Sequence, residues 1–403
     1  MSGLKGIKTI RDFELNEKNV FMRLDLNVPI ENGVITDLTR IEASLPTIIY
    51  AMEKGAKLIL ASHLGRPKSA DDKKYSLEPV AKKLTELLKK EVILIEEPSS
   101  EAVKPLLIGL KKNQLLLLEN LRFEPGETEN SDEFAQSLAL NTEVYINDAF
   151  GASHRAHASI DALPRMIANK GIGFLIEKEI QMLDQLLANT KKPYLAILGG
   201  VKVSDKVAVI EKIMDLVDGI VIGGAMAYTF LKAKGFNVGK SLVETDKLNY
   251  AREMIARMEM RGKTLLLPVD HIVTDNLASS QGKICPQVNM QEGDIAVDIG
   301  PQTIRNYSAA IAKAETLFWN GPMGIFEKEA FSNGTFSIAK ALAESKGQRI
   351  VGGGDSAAAA VASGYAGQMT HISTGGGASL EYLQGDKLPG LEVLRVKYRP
   401  AAI

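Results

Sequence analysis

Arginine and histidine side chains follow several apolar runs in the first half of the chain. Asp25 and Asn27 come directly after the first run, and His63 and Arg66 follow the next. Arg40, Arg122 and Arg155 occupy comparable loop positions further along. Planar guanidinium groups bind carboxylates and phosphates through paired hydrogen bonds, although a single arginine is usually a solvated surface charge. The shared position of these residues predicts a site for a small polyanion.

The second half carries glycine-rich turns at the ends of predicted strands. Glycine lets a backbone approach a ligand closely, and free N–H groups at the start of a helix favour an anion. A tight turn that requires a positive φ is the alternative for any single case, but the repetition favours nucleotide binding. These turns are Gly199-Gly200, Gly223-Gly224, Gly352-Gly353-Gly354 and Gly375-Gly376-Gly377.

Charged residues within these turns extend the nucleotide hypothesis. Lys202 and Lys206 are four residues apart at a strand-to-helix junction, where both ammonium groups can point toward one phosphate tail. Asp355 follows three glycines and suits Mg²⁺, which takes few protein carboxylates and completes its shell with water and phosphate. Capping the following helix is the alternative role for Asp355.

Other familiar sites do not fit the sequence. His154 and His157 are spaced as two metal ligands would be, but further ligands are lacking and Arg155 lies between them. We expect these histidines to donate to phosphate instead. The string from Gly235 to Ser241 is one residue too short between its glycines for a P-loop, and no dinucleotide fingerprint follows the first strand of either half.

The elements that position these residues form an α/β pattern of short apolar runs and amphipathic segments. An amphipathic helix predicted over residues 172–188 separates the two groups of runs. We expect an N-terminal domain over 1–171, a connecting helix over 172–188 and a C-terminal domain over 189–388. The predicted strands are 19–26, 57–61, 92–95, 115–118 and 144–147, then 194–198, 219–223, 264–268, 316–320, 349–353 and 370–374.

Composition excludes several classes of protein. The 403 residues are 45% hydrophobic and 24% charged, as in globular proteins, and the net charge of -1 gives no general attraction to nucleic acid or acidic membranes. The first twenty residues lack an apolar signal-peptide core, and no run is long enough to span a membrane. Cys285 cannot form an internal disulfide, so we expect a cytoplasmic protein.

Eight strings in order along the chain resemble phosphoglycerate kinases. The first half supplies RxDxNVP from Arg23, SHxGRP from Ser62, ENLRF from Glu119 and NDAFGxxHRAHAS from Asn147. The second half supplies GGVKVSDK, WNGPMGIFE, GGGDS and STGGGASLE. The resemblance implies two Rossmann-like parallel-sheet domains joined by a helix, with a deep cleft between them and residues 389–403 returning to the first domain. It also implies a monomer.

The resemblance assigns ligands to both domains. The first would bind 3-phosphoglycerate through Asp25, Asn27, Arg40, His63, Arg66, Arg122 and Arg155. The second would bind MgATP or MgADP through Gly200, Lys202, Lys206, Gly224, Glu327, Gly353, Gly354, Asp355 and Ser356, with Glu327 at the ribose and Asp355 at Mg²⁺. Ser356 stands where the family has threonine, and Ser204 where alanine is common.

The reaction implied is reversible phosphoryl transfer between ATP and the 1-carboxylate of 3-phosphoglycerate, giving ADP and 1,3-bisphosphoglycerate. The attacking carboxylate is already ionised, so no general base is required. We expect Arg40, Lys202 and the backbone N–H groups of Gly353 and Gly376 to stabilise the transferring group after a hinge-bending closure. An NAD-dependent dehydrogenase and an anion-binding solute receptor are the alternatives. The first is disfavoured because the sequence has no dinucleotide-binding fingerprint, and the second because no signal peptide is found.

Overall fold

The computed structural model of the protein describes residues 3–98, 103–112, 114–140, 142–188 and 190–396. Contacts divide the chain into two compact units. One comprises residues 1–181 with 387–403, and the other comprises residues 182–386. Each unit is built around a parallel sheet covered by helices on both faces. The α/β class with two parallel-sheet domains, predicted from the sequence, is therefore confirmed.

The strands alternate with helices along both units, as the apolar runs predict. In chain order they are β1 (Asn19–Leu24), β2 (Ile30–Glu31), β3 (Val34–Ile35), β4 (Lys57–Ala61), β5 (Val92–Ile95), β6 (Leu115–Leu118), β7 (Val144–Asp148), β8 (Asn169–Ile172), β9 (Tyr194–Leu198), β10 (Gly219–Ile222), β11 (Thr264–Leu266), β12 (His271–Thr274), β13 (Lys283–Cys285), β14 (Ile295–Ile299), β15 (Thr316–Asn320), β16 (Gln348–Val351) and β17 (His371–Ile372).

Most of the helices are short, and several begin with proline at the first or second position. In chain order they are α1 (Thr39–Glu53), α2 (Glu78–Leu88), α3 (Val103–Ile108), α4 (Pro125–Thr128), α5 (Asp132–Ala139), α6 (Leu163–Met166), α7 (Phe174–Ala188), α8 (Val207–Ile213), α9 (Met226–Ala233), α10 (Leu248–Met260), α11 (Pro301–Ile311), α12 (Asn333–Glu344), α13 (Gly354–Ala362), α14 (Gly377–Gln384) and α15 (Pro389–Glu392).

The first unit contains a six-stranded sheet in the order β5-β6-β4-β1-β7-β8, with every pair parallel. Helices cover both faces, which is why β6 and β7 are buried along their whole length. β6 is a continuous apolar run, and β7 is apolar until it reaches Asn147 and Asp148. The chain builds one side of β1 through β4, β5 and β6, then crosses to β7 and β8. Ligands of open α/β sheets bind where the strand order reverses in this way, at the carboxyl ends of the strands.

The second unit repeats this plan in the order β11-β10-β9-β15-β16-β17, again with parallel pairing throughout. The chain lays down β10 and β11 on one side of β9, and β15 to β17 on the other. The reversal therefore lies between β9 and β15. All eleven predicted strands are present in the two sheets, mostly within one to three residues of their predicted ends.

Sequence reasoning missed six of the described strands, namely β2, β3, β8, β12, β13 and β14. β8 extends the first sheet at the position where the connecting helix was predicted to begin, so the helix starts at Phe174 and not at residue 172. An antiparallel sheet in the order β13-β12-β14 lies in the second unit, and β2 and β3 form a two-stranded hairpin in the first. The β2, β3 and β13 runs are only two or three residues long, too short to show a period.

Residues near the C-terminus pack on the first unit. The amide of Gly390 donates to the carbonyl of Ser153 at 2.9 Å, and the side chain of Asn147 donates to the carbonyl of Gly390 at 3.1 Å. Further along, the amide of Val396 donates to the carbonyl of Gly6 at 2.8 Å. Residues 397–403 of the predicted returning segment lie outside the described residues.

Candidate active site

The carboxyl edge of the first sheet gathers the predicted anion-binding residues. Asp25 and Asn27 follow β1, His63 and Arg66 follow β4, and Arg122 lies just beyond β6. Arg155 follows β7, and Arg40 lies in the first turn of α1. Because β6, β4, β1 and β7 are neighbours in this sheet, their loops converge at the point where the strand order reverses.

Hydrogen bonds hold the first loops of this edge together. One guanidinium nitrogen of Arg40, Nη1, donates to both carboxylate oxygens of Asp25, at 2.8 and 2.9 Å. The side-chain oxygen of Asn27 accepts from the amide of Gly65 at 2.8 Å, and Arg122 donates to the carbonyl of Gly65 at 2.6 Å. Asp25 and Asn27 thus hold the loops of this edge together, in addition to being predicted ligand-binding residues.

A buried ion pair lies beneath this edge. Arg23 and Glu127 have fully buried side chains, with their closest nitrogen and oxygen 3.9 Å apart. Ser159 joins them, since its hydroxyl accepts from Arg23 Nε at 2.8 Å and donates to Glu127 at 2.6 Å. Sequence reasoning quoted Arg23 in a motif but gave it no role. An arginine inside an otherwise apolar strand run was the available signal, because buried charges require partners.

Three arginines of the cluster have no ion pair among the described residues, namely Arg66, Arg122 and Arg155. Arg122 shows the consequence. Burial lowers its pKa to about 10, and the charges of Arg155 and Arg23 act in the same direction. Its Nε is buried without a hydrogen-bond partner. The edge therefore holds excess positive charge and an unused donor, which an anion can satisfy.

The histidines of this edge are neutral. Burial, followed by repulsion from Arg23, Arg122 and Arg40, lowers the pKa of His63 well below its usual value. Burial and the charges of Arg122 and Arg23 lower the pKa of His157 to about 4. The Nδ1 atom of His157 is buried and has no hydrogen-bond partner. Within the described part of the chain no group of three or more metal-ligating side chains is found.

Backbone contacts dominate the carboxyl edge of the second sheet. The amide of Gly200 donates to the carbonyl of Pro322 at 3.0 Å, which joins the turn after β9 to the turn after β15. Gly224 has φ +66°, and a Cβ atom there would lie 2.5 Å from both backbone N and O of Gly200. Only glycine fits at this position, so the role of Gly224 is to allow these turns to pack closely.

The two lysines of the glycine-rich turn lie in different surroundings. Lys202 is exposed to solvent. Lys206 is half-buried, and its ammonium donates to the side chain of Asn320 at the end of β15. Burial lowers the pKa of Lys206, while the nearby carboxylates of Asp205 and Asp355 oppose that change. The structure thus leaves Lys202 free to follow a ligand and fixes Lys206 against the sheet.

Helix starts face the same edge. Gly353 is the N-cap of α13, so the first free N–H groups of that helix belong to residues 354–356. Asp355 is the second residue of α13 and not its N-cap, which removes the alternative role considered for it. Gly376 is the N-cap of α14. The hydroxyl of Ser356 is buried and accepts from the amide of Gly321 at 2.5 Å, so this side chain is committed to the fold.

An apolar cavity of about 410 Å³ lies beside these turns within the second unit. Its wall includes predicted residues, since Gly200, Gly224, Glu327 and Asp355 line it. The apolar part was missed because its residues come from distant points of the sequence and have no shared motif. It consists of Val201, Ala225, Tyr228, Leu242, Leu277, Val297, Pro322, Met323 and Ile325.

Asp298 is a further residue of this cavity that sequence reasoning missed. It is buried at the end of β14, and burial raises its pKa to about 7. Its carboxylate accepts from the amide of Gly334 at 2.6 Å and from the amide of Ile299 at 2.9 Å. The first of these bonds ties β14 to the start of α12, and so supports the segment that carries Glu327.

Comparisons of the whole chain with known proteins identify its family. The sequence matches the phosphoglycerate kinase family model over residues 10–386. The chain belongs to the phosphoglycerate kinase family. A phosphoglycerate kinase of Bdellovibrio bacteriovorus is 66% identical over 399 residues, which cover 99% of this chain and 100% of that protein. One from Clostridium botulinum is 48% identical over 389 residues, covering 96% and 98%.

Solved structures of the family agree in fold. A phosphoglycerate kinase from Coxiella burnetii superimposes with a TM-score of 0.86 at 39% identity, covering 96% of this chain and 98% of that one. The enzyme from Pyrococcus horikoshii gives 0.83 at 33% identity with the same coverage. The resemblance seen in the sequence motifs is confirmed. In the described ranges, no helix has the length and apolar character needed to cross a bilayer.

The reaction of the family is the reversible transfer of a phosphoryl group between ATP and the 1-carboxylate of 3-phosphoglycerate. The products are ADP and 1,3-bisphosphoglycerate. The chain is accordingly an enzyme, a phosphotransferase with a carboxyl group as acceptor. Its catalytic chemistry belongs to glycolysis and gluconeogenesis, and the two phosphoglycerate kinase relatives cover 99% and 96% of the chain.

The neutral state of His157 predicts a response to anions. Its pKa of about 4 reflects burial and repulsion by the arginines, and a bound anion offsets that repulsion. We expect saturating 3-phosphoglycerate to raise the pKa of His157 toward 6.5, as measured by NMR of the ring protons. Binding then takes up a proton, so affinity rises as pH falls from 6.5 toward 4.

His271 is the matched control for this titration. It is also buried, and burial lowers its pKa, but it lies in the second unit between Tyr228 and the carbonyl of Val288. Its pKa should not move with 3-phosphoglycerate. A His157 pKa that stays at about 4 in the saturated protein would show that the anion binds elsewhere.

Proposed function

We propose that the first unit binds 3-phosphoglycerate and the second binds the nucleotide, each at the carboxyl edge of its sheet. The observation that carries this proposal is the difference between the two edges. One has three arginines with no ion pair among the described residues, and the other has helix starts beside an apolar cavity. The first suits a small acid with two anionic groups, and the second suits a phosphate chain attached to an aromatic base.

The acid site is proposed to consist of Asp25, Asn27, Arg40, His63, Arg66, Arg122 and Arg155. Its charges support this assignment. Arg40 is paired with Asp25 and Arg23 with Glu127, so the available positive charge belongs to Arg66, Arg122 and Arg155. A phosphate dianion and a carboxylate together bring about three negative charges near neutral pH. The substrate therefore neutralises what the protein leaves unpaired.

The nucleotide site is proposed to consist of Gly200, Lys202, Lys206, Gly224, Glu327, Gly353, Gly354, Asp355 and Ser356. The apolar wall of the cavity would receive the base, and exposed Glu327 at its rim would accept from the ribose hydroxyls. The phosphates would lie toward the start of α13 and Lys202. Gly224 and Ser356 would contribute through the backbone. Gly224 allows the turn to pack closely, and the hydroxyl of Ser356 accepts a hydrogen bond from the amide of Gly321.

Phosphoryl transfer at this site requires positioning and charge stabilisation, not proton abstraction. The carboxylate of 3-phosphoglycerate is ionised at neutral pH and attacks the γ-phosphorus directly, while the oxygen bridging to ADP departs with the bonding electrons. We assign stabilisation of the equatorial oxygens to Arg40, Lys202 and the N–H groups at Gly353 and Gly376. Exposed Lys202 is able to follow the group as it moves.

Mg²⁺ accompanies the nucleotide in this proposal. Asp355 lies in the first turn of α13, is exposed and lines the cavity, so its carboxylate is placed for a cation held mainly by phosphate and water. When bound, the cation offsets the charge of the nucleotide phosphates. The absence of a cluster of three ligating residues in the described chain fits a metal that needs only one protein carboxylate.

The substrates are proposed to meet by hinge-bending closure of the two units. The acid and the nucleotide are assigned to different units, and transfer requires reacting atoms about 3–3.5 Å apart. Helix α7 carries the chain across the boundary between the units at residues 181 and 182. Closure would also exclude water, which would otherwise hydrolyse the acyl phosphate. We further propose that the enzyme is a cytoplasmic monomer, in keeping with its single cysteine and balanced charge.

Substitution of Lys202 tests the catalytic assignment. In Lys202→Ala we expect kcat to fall by about two orders of magnitude or more, since a group that stabilises transition-state charge is lost. Dissociation constants for ADP and 3-phosphoglycerate should change much less. The assay couples 1,3-bisphosphoglycerate formation to NADH oxidation. Lys313→Ala, at an exposed lysine away from the site, is the control, and turnover of Lys202→Ala equal to that of the control would refute the assignment.

Small-angle scattering tests the proposed closure. The radius of gyration should decrease when MgADP and 3-phosphoglycerate are both present, and change less with either ligand alone, because closure brings the two sites together. An identical radius in all four conditions, with both ligands shown to be bound by calorimetry, would contradict hinge closure. The transfer reaction itself would not be affected by that result.

A further inference from the structure

The guanidinium of Arg23 is held on three sides beneath the acid site. Its Nε donates to Ser159 at 2.8 Å, Nη1 donates to the carbonyl of Leu24, and Nη2 lies 3.3 Å from Nδ1 of His63. Arg23 is fully buried and His63 is 6% exposed, so bulk water does not compete for the hydrogen bonds of this guanidinium. The orientation of the guanidinium is therefore fixed by the protein.

This contact determines which ring nitrogen of His63 carries a proton. A guanidinium has only donors and keeps its charge in proteins, so Nδ1 of His63 must be the acceptor. The proton of the neutral ring is then on Nε2. A proton on Nδ1 would face an N–H of Arg23, which disfavours both the other tautomer and the doubly protonated ring.

The groups around His63 act in the same direction. Arg23, Arg122 and Arg40 are the cations that face it, and neutral His157 lies beyond them. Burial is the largest cause of its lowered pKa. His157 differs at one point, since its Nδ1 has no hydrogen-bond partner and remains able to accept a proton.

We propose that Arg23 is a positioning residue that fixes His63 as the neutral Nε2–H tautomer, so that His63 offers the acid substrate a hydrogen-bond donor and not a positive charge. The acceptor on the substrate is a carboxylate, phosphate or hydroxyl oxygen. This inference rests on the proposed assignment of His63 to the acid site. The unpaired arginines then supply the positive charge, and the Nε2–H donor of His63 orients the substrate.

Glu127 and Ser159 make this arrangement possible. Glu127 accepts from the amide of Ser159 at 2.9 Å and from its hydroxyl at 2.6 Å, and its carboxylate lies 3.9 Å from Nη2 of Arg23. Tyr145 donates to the carbonyl of Ser159 at 2.7 Å and so fixes the same segment. The carboxylate compensates the buried charge of Arg23, which leaves its Nη2 donor for His63.

Nitrogen NMR of the full-length protein labelled with ¹⁵N-histidine tests the tautomer directly. The chain has five histidines, and His63→Gln identifies the signals of His63. At neutral pH we expect an unprotonated Nδ1 and a protonated Nε2, both without substrate and with saturating 3-phosphoglycerate. A protonated Nδ1 in either condition would overturn the proposal.

Two variants test the role of Arg23. Arg23→Lys retains a donor-only cation and should keep the Nε2–H tautomer. Arg23→Met should allow a mixture of tautomers and raise the KM for 3-phosphoglycerate about three- to tenfold, the range expected for one neutral hydrogen bond. The KM for ATP should be unchanged. Lys313→Ala, at an exposed lysine away from the site, is the control and should keep both the tautomer and the KM values.

The possible results separate this inference from the function on which it rests. A folded Arg23→Met protein with wild-type His63 signals would overturn the positioning role. If His63→Gln binds 3-phosphoglycerate as wild type does, His63 is not part of the acid site, and the functional half of the proposal fails with that assignment. Should Arg23→Met not fold, the wild-type spectrum and Arg23→Lys still decide the tautomer.

Discussion

Excess positive charge at the carboxyl edge of the first sheet is the constraint around which that unit is organised. Five arginines lie in or beneath this edge, and the fold reduces their cost in several ways. Glu127 compensates Arg23, Asp25 compensates Arg40, and the histidines remain neutral. What remains unpaired is the charge that a small acid can neutralise. Stability and the proposed binding are thus linked, since removing a compensating carboxylate would raise the cost of the same charge that is proposed to attract the substrate.

The second unit is proposed to bind an anion by a different physical route. Its sheet edge carries charges of both signs, such as Lys206 and Asp355, together with free N–H groups at the starts of α13 and α14 and close packing between backbone turns. Gly224 makes that packing possible because no side chain fits beside Gly200. A nucleotide suits such an edge, because its phosphates accept from backbone donors and its base fills an apolar cavity.

Much of the parallel fold could be predicted from the sequence because buried strands are continuous apolar runs. All eleven predicted strands are present. Six others were missed: β2, β3 and β13 have only two or three residues and show no period, and β8, β12 and β14 were missed as well. The motif residues at strand ends were found because they directly follow these apolar runs. The Arg23–Glu127–Ser159 network and the apolar cavity wall were not, since their members are far apart in sequence and meet only through the fold. Ser356 shows a further limit, because the hydrogen bond that its hydroxyl accepts from the amide of Gly321 could not be predicted from the sequence.

The assignment of one substrate to each sheet edge is tested most directly by calorimetry on one variant. Arg122→Gln removes an unpaired charge of the first edge while leaving every group of the second edge intact. The account predicts that affinity for 3-phosphoglycerate falls about tenfold to a hundredfold, the range for hydrogen bonds to charged groups, while affinity for ATP is unchanged. A variant that binds 3-phosphoglycerate as tightly as the wild type, or that loses affinity for ATP instead, would contradict the account.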